Sequence, residues 1–405
     1  MNRPIRVYEI IGSFDVEGGG GGITRFVITL SQHLNRAQIQ PVVCALWNRG
    51  SEIERQRVLE LNKNGIEAFS CALWDETHPY RSFFYAYQRL RESVEKTPTD
   101  ILHSHSEFSD MAVLFLKLEG KAPVLARTLH NELRVIWKRR PLRKLLFSQT
   151  LDVLLFDLEL GVSQFIKENL DERWLAKRLK RKARAVPNAL DIKRFKGESV
   201  IRLKIRSELG IPEEAFVVGS VGRLVEQKGY DVLLDAASEV AKSTPEVRFL
   251  IVGEGSAAAS LRQQANDLGI ADRVIFTGRR SDVEILLSAM DLFACSSRWE
   301  GLSTVLMEAM AAGVPIVATD IPGNRELLRE GENARLVRVE DAGALAKAIM
   351  DIRMNPALVR RYSDQAQKDV QEFGIERVAR QHEQLYRELL QGANENLDNS
   401  NYPNF

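Results

Sequence analysis

Two hydrophobic periods alternate along this chain. Short apolar runs of strand length are separated by stretches in which apolar residues recur three and four positions apart, the spacing of one helix face. In the first half, strands are expected at 5–11, 41–46, 66–69, 100–103 and 124–128. A glycine-rich loop at 17–22 leads into a helix over 23–34, whose inner face carries Ile23, Phe26, Val27 and Leu30. A second helix is expected at 108–118, and Ala185-Val186-Pro187-Asn188 closes this half. The pattern then restarts. Strands at 216–221, 248–252, 274–276, 292–295, 315–318 and 335–337 alternate with helices at 231–243, 256–268, 281–290, 342–353 and 356–371. Strand–helix alternation of this kind predicts an α/β fold of two doubly wound, Rossmann-like domains with parallel sheets. The expected division is 1–196 and 197–372, followed by a helix over 373–391 that returns to the first domain. The Asn-rich end, 392–405, has almost nothing to bury and is expected to be disordered.

Composition narrows the class. At 405 residues, with 44% apolar and 27% charged residues, the chain suits a soluble protein of two average domains. Cys44, Cys71 and Cys295 lie far apart in apolar settings, which reads as buried thiols rather than a disulfide frame or metal site. Met1 is followed by Asn2-Arg3-Pro4 and a strand, so no signal peptide is expected, and no apolar run spans a bilayer. The expected location is cytoplasmic. Charge is uneven: residues 1–190 hold 29 Lys and Arg against 22 acids, a net +7, and the remainder is −6. Such a split suggests that the first half meets something anionic.

The stretch 291–326 carries the clearest chemistry. A strand, a polar loop and a helix follow one another, with Ser303 and Thr304 as candidate N-caps and Gly313 and Pro315 ending the helix. Glu300 lies in the loop and Glu308 inside the helix. A helix N-terminus attracts phosphate or sugar oxygens, and a carboxylate accepts from sugar or ribose hydroxyls. Two unrelated surface glutamates would produce the same pair, so the neighbouring residues decide. Elsewhere, Arg223 and Lys228 sit after one strand and before a helix, where a guanidinium fork and a point charge can neutralise a diphosphate. The run Gly18 to Gly22 invites a dinucleotide reading, but the second strand ends in Leu46-Trp47-Asn48-Arg49 without the acid that would hold a ribose. NAD is therefore not expected. His103 and His105 lack a third ligand at sensible spacing, so no metal site is expected, and both read as structural or acceptor-side residues. Two basic stretches, 134–144 and 173–184, mix Trp and Leu with cations. They fit solvated faces or docking on an anionic membrane surface. Nucleic acid is not expected, because no RNA-binding signature or stacking aromatics accompany them.

Three strings then converge. Glu300-Gly301-Leu302-Ser303, Glu308-Ala309-Met310-Ala311 and Gly313-Val314-Pro315 resemble the E-x7-E signature of retaining glycosyltransferases of family four (glycosyl transferases group one). Val221-Gly222-Arg223 through Lys228-Gly229 resembles that family's GR-x4-KG motif, and Thr128-Leu129-His130 its T-x-H. The resemblance spans about 5–390 and implies a GT-B fold. It departs at Ala189 and Ala334, where the family often has Gly. It also implies a nucleoside diphosphate sugar as donor and a sugar or lipid-linked saccharide as acceptor, with no cofactor or metal. The catalytic residues it implies are His130, Glu300, Arg223 and Lys228. The donor side would be Gly21, Gly22, Arg223, Lys228, Gly253, Arg279, Glu300, Gly301, Leu302, Ser303, Thr304 and Glu308, and the acceptor side Thr24, Arg25, His105 and Asn131. A transferase acting on a soluble sugar phosphate, as sucrose-phosphate synthase does, and a nonenzymatic nucleotide-sugar-binding protein remain the alternatives. A peripheral position on the inner membrane face is the expectation that the basic stretches add.

Overall fold

The computed structural model describes residues 3–15, 21–122, 124–131, 146–195 and 199–398. Two compact units divide the chain at Ala189 and Leu190, earlier than the expected 196.

The first unit contains β1 (Ile5–Ser13), α1 (Gly21–His33), β2 (Ile39–Asn48), α2 (Glu52–Lys63), β3 (Glu67–Leu73), α3 (Pro79–Lys96) and β4 (Ile101–Ser104). It continues with α4 (Glu107–Leu118), β5 (Val124–Leu129), β6 (Leu158–Gly161), α5 (Gln164–Asp171), α6 (Trp174–Leu179) and β7 (Arg184–Ala185). The strands pair in parallel in the order β3-β2-β1-β4-β5-β6-β7. Beside β1 the order reverses, the place where such sheets open for a ligand at their carboxyl ends. Several of these elements were not legible as patterns. α2 has a weak apolar face and is held at its start by Ser51, whose Oγ accepts from the Glu54 amide while the Glu54 carboxylate accepts from Ser51. α3 starts at Pro79 and buries Ala86, Leu90 and Val94.

The second unit, Leu190–Gly374, contains α7 (Ser199–Glu208), β8 (Phe216–Val221), α8 (Tyr230–Ser243), β9 (Val247–Val252), α9 (Ala258–Asp267), β10 (Val274–Gly278) and α10 (Val283–Ser288). β11 (Leu292–Cys295), α11 (Thr304–Ala311), β12 (Ile316–Thr319), β13 (Arg335–Val337), α12 (Ala342–Arg353) and α13 (Pro356–Asp369) complete it. Its parallel sheet runs β10-β9-β8-β11-β12-β13, so the order reverses beside β8. The core is the expected apolar stripe of α8 and α12 against Val218, Phe249, Ile251 and Val317.

The last helix, α14 (Ile375–Asp398), belongs to the first unit. Ile375, Val378, Ala379, Leu385 and Tyr386 lie in the same core cluster as Val27, Leu30 and Ile39. Helix continues past 391, where an unstructured tail is expected. Gly21 and Gly22 also differ from expectation: they form the first turn of α1 rather than a loop, and Gly18 to Gly20 lie outside the described residues. Cys44 and Cys71, distant in sequence, are neighbours on β2 and β3 with sulfurs 3.3 Å apart, both as free thiols. No helix among the described residues is long and apolar enough to cross a membrane.

The basic stretch 134–144 lies outside the described residues. In the other stretch, Arg173 is not a surface cation. It is buried, donates to the Leu170 and Ser148 carbonyls and pairs with Glu159. Glu159 also pairs with Arg127, which reaches Asp152 at 2.6 Å. A buried cation is tolerated only when its hydrogens are taken up in this way.

Candidate active site

In the second unit the loops after β8, β9 and β10 are bound to one another. The Gly222 amide donates to the Val252 carbonyl, Gly253 to Gly278 and Leu224 to Glu254, each at 2.9 Å. Gly253 sits at φ +141, and a Cβ there would lie 1.9 Å from the Gly222 carbonyl oxygen. Only glycine allows the loops to stack this closely.

Gly229, at φ +61, does the same for the next contact. A Cβ would lie 2.2 Å from the Ser296 carbonyl oxygen, so its absence lets the turn carrying Lys228 lie against the loop after β11. There Lys228 Nζ donates to Glu300 Oε1 at 2.5 Å, and Ser297 Oγ donates to the same oxygen at 2.7 Å. Gln227 Nε2 donates to the Trp299 carbonyl at 2.9 Å. Two residues expected to serve the donor are thus an ion pair, each holding the other's geometry. Arg223 is exposed nearby in sequence, and Arg279 lies at the surface with its Nε 3.6 Å from Glu254.

Ser303 occupies the N-cap position of α11 but makes no capping bond, and its buried Oγ has no partner among the described residues. The first amides of α11 therefore receive no side-chain acceptor from Ser303, unlike those of α2. Thr304 is the first helical residue, Gly301 and Leu302 are buried before it, and Glu308 is buried within the helix. A cavity of about 690 Å³ beside the starts of α8 and α9 is lined by Glu226, Tyr230, Asp231, Gln264 and Arg298, not by Lys228 or Glu300.

The first unit gathers a second set of polar residues at the middle of β1 and the carboxyl ends of β4 and β5. Glu9, His103, His105 and His382 are buried, together with Tyr386. Tyr386 donates to Glu9 Oε1 at 2.7 Å, and His105 Nε2 lies 2.8 Å from Glu9 Oε2. His103 lies between Tyr386 (Nδ1, 2.7 Å) and Thr128 (Nε2, 2.8 Å). His130 Nε2 is 3.3 Å from His105 Nδ1. Burial pushes all four imidazoles below their ordinary range: His105 to about 3, with His382 adding repulsion, and His103 and His130 well down, with His105 adding repulsion to both. The rings are therefore neutral at pH 7.

The residues expected on the acceptor side differ in exposure. His105 is not presented to an acceptor, since Glu9 and His130 engage both its nitrogens. Thr24 is buried too, its Oγ1 donating to the Ser13 carbonyl at 2.9 Å. Arg25 and Asn131 are partly exposed. The missing third ligand also exists: Glu9, His103 and His105 place one ligand atom each within 4.8 Å of one another. In this structure hydrogen bonds join them.

Family models match both units. "Glycosyltransferase Family 4" matches residues 20–194 and "Glycosyl transferases group 1" matches 201–369. Among curated proteins, the lipopolysaccharide core biosynthesis glycosyltransferase LpsE of Rhizobium meliloti is 33% identical over 207 residues, 51% of this chain and 58% of that protein. A phosphatidyl-myo-inositol mannosyltransferase of Mycolicibacterium smegmatis is 28% identical over 311 residues, 76% of this chain and 75% of that one. The crystal structure of Anabaena HepE in complex with UDP-glucose superposes with a TM-score of 0.79 at 22% identity, over 96% of this chain and 100% of HepE. The chain belongs to the family-four glycosyltransferases. Its fold is of the GT-B type. It spans little more than half the length of curated relatives such as LpsE.

Within this family-four chain, Glu300, Glu308, Arg223, Lys228 and His130 were legible because each sits in a contiguous motif. Gln227 and Ser297 were missed, as were Glu9, Thr128's bond to His103, His382 and Tyr386. A carboxylate in the middle of an otherwise apolar strand, Glu9 in Tyr8-Glu9-Ile10, was the one available signal.

Proposed function

We propose that this chain transfers a glycosyl group from a nucleoside diphosphate sugar to a hydroxyl of a saccharide or lipid-linked acceptor, in the synthesis of a cell-envelope glycan. The reading includes retention at the anomeric carbon and no requirement for a metal ion. The observation that carries it is the Lys228–Glu300 pair at the carboxyl end of the second sheet, beside a helix start that Ser303 leaves uncapped. An ammonium and open amides suit a diphosphate, and Glu300 suits the hydroxyls of the sugar beside it. The names of LpsE and the inositol mannosyltransferase support an envelope product, and the UDP-glucose bound to HepE supports a nucleotide-sugar donor.

In this reading Arg223 and Lys228 stabilise the leaving diphosphate, which is the task a metal performs elsewhere. Glu308 accepts from the ribose diol and His130 from a hydroxyl of the transferred sugar. The acceptor oxygen bonds the anomeric carbon on the face the diphosphate leaves, and the acceptor's proton passes to the departing phosphate oxygen.

Calorimetry with UDP, GDP and their sugars tests the donor site. Lys228→Ala and Arg223→Ala are each expected to weaken nucleoside diphosphate binding by about 10- to 100-fold, the size of a charge-assisted hydrogen bond. Unchanged affinity in both variants removes the donor site from this place. Turnover in excess EDTA and an α-configured product from an α-linked donor are the expected companions. Loss of turnover rescued only by manganese or magnesium overturns the metal-independent step.

A further inference from the structure

Arg298 lies two residues before Glu300 in the loop after β11, and it reaches the loop after the neighbouring strand β8. The turn Glu226–Lys228 has all three of its carbonyls taken up from that side. Ser296 Oγ donates to the Lys228 carbonyl at 2.9 Å, the Arg298 amide to Gln227 at 2.7 Å and Arg298 Nη1 to Glu226 at 2.7 Å. Two carboxylates hold the rest of the guanidinium. Nη1 and Nη2 donate to Asp231 at 3.0 and 2.6 Å, and Nε and Nη2 donate to Glu340, the latter at 3.1 Å. A guanidinium has five N–H groups, and all five are engaged. Arg298 also borders the 690 Å³ cavity, but it has no N–H left for a ligand there. Glu340 sits at φ +62, a left-handed conformation shared among the described non-glycine residues by Lys180 alone. A side chain persists there only where its surroundings over-determine it, and the bonds to Arg298 are part of that hold.

We infer that Arg298 is a positioning residue that clamps the turn carrying Lys228 against the loop carrying Glu300, so that ammonium and carboxylate meet the donor in fixed register. Lys228 has a flexible four-carbon stem, so the place of its ammonium depends on where its backbone is held. Ser296 and Gln227 join the same two loops, but of the three Arg298 alone also ties them to Asp231 on α8 and to Glu340 beyond β13. A lysine in its place, a compact ammonium with three donors, cannot span all of these acceptors. The effect on the donor rests on the function proposed above; the clamp itself does not.

The test uses the full chain and Arg298→Lys, which keeps the charge and loses the fork. Hydrogen exchange without nucleotide reads the clamp. The Lys228 and Gly229 amides, which donate to Val225 and Glu226, should exchange about tenfold faster than in the wild type. Calorimetry with UDP and GDP reads the consequence. Arg298→Lys should weaken the nucleotide that binds by about tenfold, the cost of a misplaced contact, and by less than about twofold in the Lys228→Ala background. A residue that merely supports the fold would cost the same factor in both backgrounds, and that result overturns the inference. Unchanged exchange in the turn overturns it as well. No binding of either nucleotide, or Lys228→Ala without effect on it, removes the donor site instead, and the exchange rates then decide the clamp alone. Should Arg298→Lys fail to fold, Glu340→Gly replaces it. Glycine suits φ +62, so the urea midpoint should hold or rise while the turn still exchanges faster. A turn that keeps the wild-type rate in Glu340→Gly overturns the inference by that route.

Discussion

Lowering the pH should unfold the first unit before the second. Four imidazoles, the buried His103, His105 and His382 and the partly buried His130, have pKa values depressed chiefly by burial, and His105 falls from 6.5 to about 3. For a base with a depressed folded pKa, the unfolded chain binds more protons than the folded one below 6.5. Stability therefore falls with pH through that window. One histidine that charges only when unfolded costs about 1.4 kcal/mol per pH unit, so about 2 kcal/mol between pH 6.5 and 5. His103, His130 and His382, whose pKa values burial also lowers, add in the same direction. Asp110 works in the opposite sense: burial raises its carboxyl from 3.8 to about 7, partly countered by Arg127, so the folded state holds a proton the unfolded chain lacks. That offsets about 2 kcal/mol over the same interval, and Asp152, also raised by burial, adds to the offset. His105 and Asp110 nearly cancel, so the net loss as the pH falls comes from His103, His130 and His382 working against Asp152. Hydrogen exchange followed by mass spectrometry from pH 8 to 5, corrected for intrinsic rates, reads each unit separately. Peptides of β1, β4 and β5 should lose protection while those of β8 and β9 hold theirs. His382→Leu is the internal check. Its Nε2 has no partner among the described residues, so the variant should fold at pH 8 and show a smaller acid loss than the wild type. Protection in β4 that is equal at pH 7 and pH 5 refutes the reasoning.

Three further outcomes are expected. Gly253→Ala drives a Cβ into the Gly222 carbonyl and should destabilise the second unit by about 2–4 kcal/mol, seen as a lower urea midpoint for that unit; an unchanged midpoint means the loops move apart freely. Glu308→Gln should reduce the preference for ribose over 2′,3′-dideoxyribose nucleotides in calorimetry, and a preference kept at the wild-type margin makes Glu308 structural. With Arg173 buried, the stretch 173–184 offers the exposed Trp174, Arg178, Leu179, Lys180 and Lys182 around α6 for docking on an anionic membrane, and the stretch 134–144 lies outside the described residues. Reversing Arg178, Lys180 and Lys182 should remove about 1 kcal/mol per cation from binding to anionic vesicles, and equal co-sedimentation with neutral vesicles would make this a solvated face.

What the amino-acid sequence determined by itself is whatever one strand–helix step can encode. The two runs of the α/β pattern follow from local periodicity. Glu300, Glu308 and Gly313 lie within one β11–α11 step, and Arg223 and Lys228 within the turn from β8 to α8. Residues that share a turn keep their relation wherever the unit packs, so their spacing is readable. Tertiary structure decided the rest. Lys228 and Glu300 become an ion pair only because β8 and β11 are neighbours at the reversal of strand order. Glu9, His105, His130 and Tyr386 come from β1, the residue after β4, the residue after β5, and α14. Hydrophobic period states that a strand is buried but not which strand lies beside it, nor which helix covers its end. His103 and His105 therefore looked like an incomplete pair until β1 supplied Glu9. Arg173 looked like a surface cation until β6 supplied Glu159. In both, the missing partner is a buried carboxylate on another strand, and only the order of strands in the sheet puts it within reach.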